Sequence, residues 1–569
     1  MGTTSFDTLP ADILRLIFVH SPASIKQCQK VSSRHVMNYT FPDELAVQIC
    51  RSLRNLINTD HYLQYLAQLN ACGYVEPFCP RTDLRYADKA NILRKHNSGW
   101  ANLTSVTPDY YELRGYSGAH FGTGIDAFVK GTFMWPRSNR NDKNAFDLVF
   151  TQLPSTNRGT EFKQWSAAFV YNEFGGFWID PEQDLLVVAE DRMGTNTRPY
   201  NLHLRSMATN RPHPRAPTGQ NVLRYIPPAT SWVRDQRVWI CGYLLAAIFN
   251  VDRNINIIIW NWTTGLQVSY LSIARNTIFD GDCFEFLSEN LFIVCRLACA
   301  PDAYSSFPKK TLGWISVYQF NPQAAVSNGA THMASFALPA NRDKLDCYSL
   351  TMHHTPITSS MIGQCSAAKI YDHILGDRLL RMDVSVPADN LDSTTAIGTL
   401  YVASSVLLGA LPKDTRRNTQ QSTFKLIPWS EWADHTAWVD HSKWHPFFDK
   451  PQSFGHRLVI QPLSGSNIVV LDFDQRRMTS HGTVAPTGAP SPASYREQPT
   501  RARVCVESIL DKEETYTYVN KERGKQAASL QILFPEVNFL AWIDEEHLVF
   551  QREMATLVGR KTSLLVYTP

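Results

Sequence analysis

From about Tyr110 to its last residue the chain reads as short β-branched and aromatic runs broken by Gly, Pro, Asn and Asp, the texture of strands joined by turns. Within that stretch, Asn201 to Asn210 aligns without a gap with Asn256 to Gly265. In each window an alternating strand ends at a turn whose last residue, Asn210 or Gly265, can take a positive φ. Each window follows another apolar run at similar distance, Leu185 to Ala189 in one case and Tyr243 to Ile248 in the other. Comparable pairs are Leu291 to Cys295 with Trp314 to Phe320, Arg457 to Ile460 with Asn467 to Phe473, and His547 to Phe550 with Ser563 to Tyr567. Phe286 to Leu291 echoes Trp542 to Leu548 as the entry to such a pair.

One such unit cannot bury its apolar faces alone, so its recurrence predicts stacked copies. A β-propeller of roughly six to eight irregular blades fits this pattern, with a β-sandwich pair as the competing architecture. The Trp262-Thr263-Thr264-Gly265 turn resembles those of WD-repeat blades, although the chain contains no Trp-Asp dipeptide. The final strand, Ser563 to Tyr567, is expected to close a ring by pairing near the start of the β-rich region. Gly482 to Arg503 and Pro412 to Thr423 interrupt the pattern as polar insertions. Trp429, Trp432, Trp438 and Trp444 follow the second of these. They read either as buried aromatics stapling an irregular blade or as an exposed recognition patch.

A chain of 569 residues exceeds one ordinary core, so more than one domain is expected. Its net charge of +3 gives no electrostatic case for nucleic acid as a partner. The first apolar stretch is broken by Asp12 and Arg15, unlike a secretory signal. The most apolar windows, Tyr243 to Val251 and Ile255 to Trp262, are shorter than the roughly 20 residues of a membrane span. The eleven cysteines are scattered, with no Cys-x-x-Cys pair, and read as buried reduced thiols. These features predict an intracellular protein, cytoplasmic or nuclear, with no membrane partner.

The first hundred residues have a helical period instead. Asp7 or Thr8 can cap a helix that Pro10 opens. Leu9, Ile13, Leu14, Leu16, Ile17, Phe18 and Val19 then cover well over half its circumference, leaving Asp12 and Arg15 on the remainder. A single-domain surface helix needs a stripe only about 100° wide, so this face predicts two apolar contacts, one of them with a partner. Ser21-Pro22 and Pro42-Asp43-Glu44 open further short helices.

Leu9-Pro10-x-Asp12-Ile13-Leu14-x-x-Ile17-Phe18, followed by Cys28-x-x-Val31-Ser32-x-Arg34, is similar to the F-box pattern. His35 stands where that family usually has Trp. Asp60 to Leu103, with His61 to Leu69 and Ile92 to Trp100, resembles the helical bridge of a group of fungal F-box proteins. The resemblance implies an α + β multidomain chain: an F-box at 6–50, a helical linker at 51–105 and a degenerate propeller at 106–569. It also implies binding to the adaptor subunit of a cullin–RING (SCF-type) ubiquitin ligase through Leu9, Pro10, Ile13, Leu14, Ile17, Phe18 and Val31. The propeller would then recruit a target protein. The other reading is an interaction scaffold whose F-box-like helices do not engage a ligase.

Catalytic motifs are lacking. The chain has no Gly-x-Ser-x-Gly elbow, His-Glu-x-x-His, phosphate loop or dinucleotide fingerprint. Asp280-Gly281-Asp282 lacks the further ligands of a calcium loop, and neighbouring His353 and His354 on a strand would point to opposite faces. No enzyme activity, cofactor or metal is expected.

Overall fold

In the computed structural model the described residues are 55–101, 106–113, 127–138, 145–170, 174–190, 199–227, 233–251, 254–274, 284–297, 313–323, 329–338, 349–353, 368–373, 378–387, 394–411, 425–440, 453–455, 457–460, 467–472, 503–504, 532–533, 541–556 and 559–568. The F-box-like segment, with Leu9, Pro10, Ile13, Leu14, Ile17, Phe18, Val31 and His35, lies outside them. So do Asp280 to Asp282 and His354.

The chain is β-rich, and its strands form small, mostly antiparallel sheets. Sheet I holds Ala127–Val129, Thr132–Ser138, Ala145–Gln152 and Lys163–Val170. Sheet II holds Phe174–Asp180, Leu185–Glu190, Tyr200–Ser206 and Val222–Tyr225, and sheet III Val233–Cys241, Leu244–Val251, Asn254–Asn261 and Leu266–Ala274. Sheet IV holds Phe284–Ser288, Leu291–Leu297, Gly313–Gln319 and Thr331–Ala337, with Lys425–Ile427 added in parallel at its edge. Sheet V holds Ser349–His353, Leu379–Pro387, Thr394–Ala403 and Thr436–Asp440. Sheet VI holds Ser453–Phe454, Arg457–Ile460, Asn467–Asp472 and Arg503–Val504, with Ile532–Leu533 also on its third strand. Sheet VII joins Ala541–Ile543, Leu548–Thr556 and Gly559–Tyr567 to a strand from far upstream, Asp109–Glu112.

All five strand pairs read from the sequence are second and third strands of one sheet, in sheets II, III, IV, VI and VII. Asn210 and Gly265 both have positive φ, +55° and +72°. The expected pairing of the last strand with the start of the β-rich region is also present, with Glu112 opposite Ser563 and Asp109 opposite Val566.

The continuous apolar runs have a packing reason. All eight residues of Leu244–Val251 are buried. Alternate side chains of a strand point to opposite faces. Leu245, Ala247, Phe249 and Val251 join one core with sheet II, whereas Leu244, Ala246 and Ile248 join another with sheets IV and V. Sheet I does the same: Met134, Leu148 and Phe150 pack on sheet II, and Phe133, Trp135 and Val149 pack on Val549, Leu564 and Val566 of sheet VII. The sequence continues from V to VI, where Leu379 N donates to Gly455 O at 2.8 Å, and from VI to VII, where Ser453–Phe454 lies against Ala541–Ile543. A strand covered on both faces needs apolar residues at every position, which removes the alternation a half-exposed sheet would show.

Upstream of the sheets, helix α1 (His61–Cys72) starts at Asp60, whose carboxylate accepts from Tyr62 N and Leu63 N at 2.8 and 3.1 Å. It stops at Gly73, whose φ of +73° no branched residue adopts cheaply. Helix α2 (Tyr86–Ala101) follows after the strand Tyr74–Val75, which pairs with Asp372–His373. Leu63, Leu66, Leu69 and Leu93 of the helices share a core with Ile370 and Tyr371. The short segment 368–373 is therefore a strap that couples this helical arm to the sheets.

Candidate functional site

In sheets I to IV, VI and VII the first-to-second strand connection is a tight turn, and those of sheets I, II and VII converge under the strap and the arm. Glycine is required at one of them: Gly131 has φ +73°, and a Cβ there would come within 2.7 Å of Arg158 Nη2. The residue before it, Lys130, is 4% exposed. Its Nζ lies 3.0 Å from Asp180 Oδ1 and 2.9 Å from Glu182 Oε2 of the sheet II turn. Although burial alone would lower its pKa, these two carboxylates hold it above the usual lysine range. Lys369 of the strap pairs with Glu182 and sits 3.6 Å from Asp372 Oδ2.

The sheet VII turn, Asp544 to His547, supplies the other half. Asp544 Oδ1 accepts from Glu546 N at 2.8 Å and His547 N at 2.6 Å, closing the turn. His547 Nδ1 lies 2.9 Å from the same oxygen, and its Nε2 lies 2.8 Å from Pro154 O. Both ring nitrogens face acceptors, so the ring is held as an imidazolium. Burial works against that charge, but Asp544 outweighs it and raises the His547 pKa. Glu546 accepts from Asn157 N at 2.8 Å and from the Ser155 hydroxyl. Asn157 also binds the strap: its Oδ1 accepts from Ile370 N at 2.9 Å and Tyr371 N at 3.0 Å.

The arm reaches the same turn through α2. His96 Nε2 lies 2.8 Å, and Trp100 Nε1 3.3 Å, from the Glu545 carbonyl oxygen. A carbonyl only accepts, so His96 carries its proton on Nε2 and donates it there. Burial first, then nearby Arg457, depresses the His96 pKa to about 3, and the ring is neutral. Arg457 of sheet VI stacks 4.0 Å above the Trp100 ring, and Tyr74 stacks on Tyr371 at 4.2 Å. The cluster therefore ties the arm, the strap and sheets I, II, VI and VII together.

These groups engage one another rather than an open cleft. Among the described residues, no group of three or more His, Cys, Asp or Glu side chains is placed to hold a metal ion, and no helix is long and apolar enough to cross a membrane. Cys72, Cys241 and Cys295 are buried free thiols, and burial pushes Cys241 up to about 12. Trp432 is buried and donates Nε1 to Ala337 O at 3.1 Å, with Trp429 packed 4.9 Å away. The stapling reading holds for that pair.

Sequence reasoning did not assemble this cluster. Its members are scattered from His96 to His547, and only one local signal was available. Trp178-Ile179-Asp180-Pro181-Glu182 and Trp542-Ile543-Asp544-Glu545-Glu546 share a Trp-Ile-Asp-x-Glu pattern, and both are turns of the cluster.

No protein-family model matches this chain. None of the curated proteins matches it either. Among solved structures it is similar to the Kuenenia stuttgartiensis hydrazine synthase, at 11% identity and a TM-score of 0.27, over 50% of this chain and 65% of that one. A prolyl endopeptidase is matched at 11% identity and a TM-score of 0.33, over 88% of this chain and 51% of that one. The polysaccharide lyase Uly1 is matched at 10% identity and 0.32, over 78% and 89%. The chain thus spans just under two-thirds of the first of these and about half of the second. Likeness at such TM-scores carries no argument about chemistry.

Proposed function

We propose that the sheets are the blades of a degenerate seven-bladed β-propeller, and that the chain is the substrate-recognition subunit of a cullin–RING ubiquitin ligase. The composite sheet VII supports the ring, because pairing the first strand with the last ones ties the two ends of the β-rich region together, as a linear stack would not. The packing of sheet VII back onto sheet I supports it too.

The observation that carries the functional reading is the anchored arm. The F-box-like segment precedes the arm in the sequence, and the arm is fixed to the sheets by buried contacts. A receptor needs that connection if an adaptor at one end is to hold a target at a set distance from the ligase. In this reading residues 6–40 dock the adaptor through Leu9, Pro10, Ile13, Leu14, Ile17, Phe18 and Val31, and the propeller end not crossed by the arm takes the target. The protein does no bond chemistry itself and acts by proximity inside the cell.

Co-expression with an adaptor subunit tests this. The wild-type chain is expected to co-purify, and Leu9→Asp with Pro10→Ala is expected to abolish co-purification while leaving the melting temperature unchanged. A wild-type chain that never co-purifies would leave the interaction scaffold as the function.

A further inference from the structure

The cluster beneath the arm is crowded with carboxylates. Six carboxylates, Asp180, Glu182, Asp372, Asp544, Glu545 and Glu546, are each at most 6% exposed. Among the described residues, the buried cations beside them include Lys130, Lys369, Arg457 and His547, each at most 4% exposed, and Arg158, with its side chain 7% exposed; Arg81 acts on Glu546 and His373 faces Glu545. A buried carboxylate without close donors is strongly unfavourable, so the least well bonded of the six is the one that a proton relieves.

Contact lengths single out which one. Asp180 and Glu182 have Lys130 within 3.0 Å. Asp544 has His547, and Glu546 has Asn157 N at 2.8 Å with the Ser155 hydroxyl. Asp372 accepts from His373 N at 2.9 Å. The Glu545 carboxyl has longer contacts on every side: Asn157 Nδ2 at 3.3 Å and Arg158 Nη1 at 3.8 Å from sheet I, and His373 Nε2 at 3.7 Å from the strap. Lys369, Asp544 and Glu546 are its remaining charged neighbours, and from α2 the facing groups are His96 and Trp100, on its backbone carbonyl.

We propose that Glu545 holds a proton while the helical arm is docked, and that losing this proton loosens the arm, making the dock a pH-sensitive latch. The carbonyl that anchors His96 and Trp100 belongs to the same residue, so repulsion that shifts the turn acts directly on α2. This holds whether or not the chain serves a ligase. Burial, aided by Glu546 and Asp544 and opposed by Arg158 and Lys369, pushes the Glu545 carboxyl up to about 7. An acid raised on docking binds a proton that the undocked form lacks. Its stabilising contribution is therefore full at low pH, is lost as pH rises through the docked value of about 7, and stays lost above. His96 acts in the opposite sense, since its depressed pKa removes stability as pH falls below about 6.5.

Hydrogen exchange of the full chain, corrected for intrinsic rates, tests the latch by comparing wild type with Glu545→Gln. His96 and His547 are common to both and cancel in the ratio. Protection of Tyr86–Ala101 in the variant relative to wild type is expected to rise from pH 5.5 to pH 8.0, by up to roughly 25-fold, the one-proton limit for the whole shift. Glu546→Gln removes one of the charges that raise the Glu545 carboxyl, so its ratio is expected to rise over the same range but by less than that of Glu545→Gln. A ratio for Glu545→Gln that does not change with pH overturns the proposal. So does a Glu545→Gln chain that fails to fold, because the amide stands in for the protonated acid.

Discussion

Lys130→Met is expected to destabilise the folded chain by about 3–5 kcal/mol, the effect of removing one partner from a buried ion pair. The substitution keeps most of the aliphatic stem and deletes only the ammonium. Asp180 and Glu182, 3% and 6% exposed, would then lose the cation lying within 3.0 Å of both. Lys369 remains beside Glu182 but is already shared with Asp372, so Asp180 takes the larger loss. Asp180 also closes its own turn, accepting from Glu182 N at 3.2 Å and Gln183 Nε2 at 2.8 Å, and that turn passes the disturbance into sheet II. Urea denaturation followed by tryptophan fluorescence measures the effect. A change below about 1 kcal/mol, the range of an exposed pair, would mean that the cluster is open to water.

Ending the chain after Thr556 is expected to abolish the native fold. The deleted strand, Gly559–Tyr567, is an inner strand of sheet VII, paired on one side with Leu548–Thr556 and on the other with Asp109–Glu112. Its loss removes Leu564, Val566 and Tyr567, which are 0%, 1% and 7% exposed. At about 1.5–3 kcal/mol for each large apolar side chain, that sum rivals the whole stability of a typical domain. The loss extends further, because Leu113, Phe133 and Trp135 share a core with Leu564 and Val566. Near-ultraviolet circular dichroism of the truncated chain should show no fixed aromatic environment. A native-like spectrum with an unchanged melting temperature would mean that sheets I to VI stand without the closure.

Much of the β-rich region was legible because burial on both faces writes a strong local signal. Leu244–Val251 could hardly be anything but an enclosed strand, and Asn210 and Gly265 marked turns through their tolerance of positive φ. The second and third strands of sheets I and V were missed for an identifiable reason. Pro136 lies within Thr132–Ser138, and Arg381 and Asp383 break the apolar run of Leu379–Pro387. Arg381 is buried all the same, held by a bidentate contact with Asp383 at 3.0 and 2.7 Å. The candidate site was not legible, since a buried ion network depends on which turns meet in space. Lys369 reads as one more loop lysine until its partner Glu182, far away in the chain, is known.

The closure of the β-rich region on itself can be tested without removing anything. Glu112 and Ser563 are directly opposite in the antiparallel pair Asp109–Glu112 with Gly559–Tyr567. Opposed Cα atoms in such a pair are about 4.5–5.5 Å apart, within disulfide range. Asp109 is three residues further along the same strand, about 10 Å away at strand rise. Mass spectrometry of the mildly oxidised Glu112→Cys, Ser563→Cys chain should find a 112–563 linkage, and the Asp109→Cys, Ser563→Cys chain should form none. Failure of the first pair to link, or equal linkage in both, would contradict the closed arrangement.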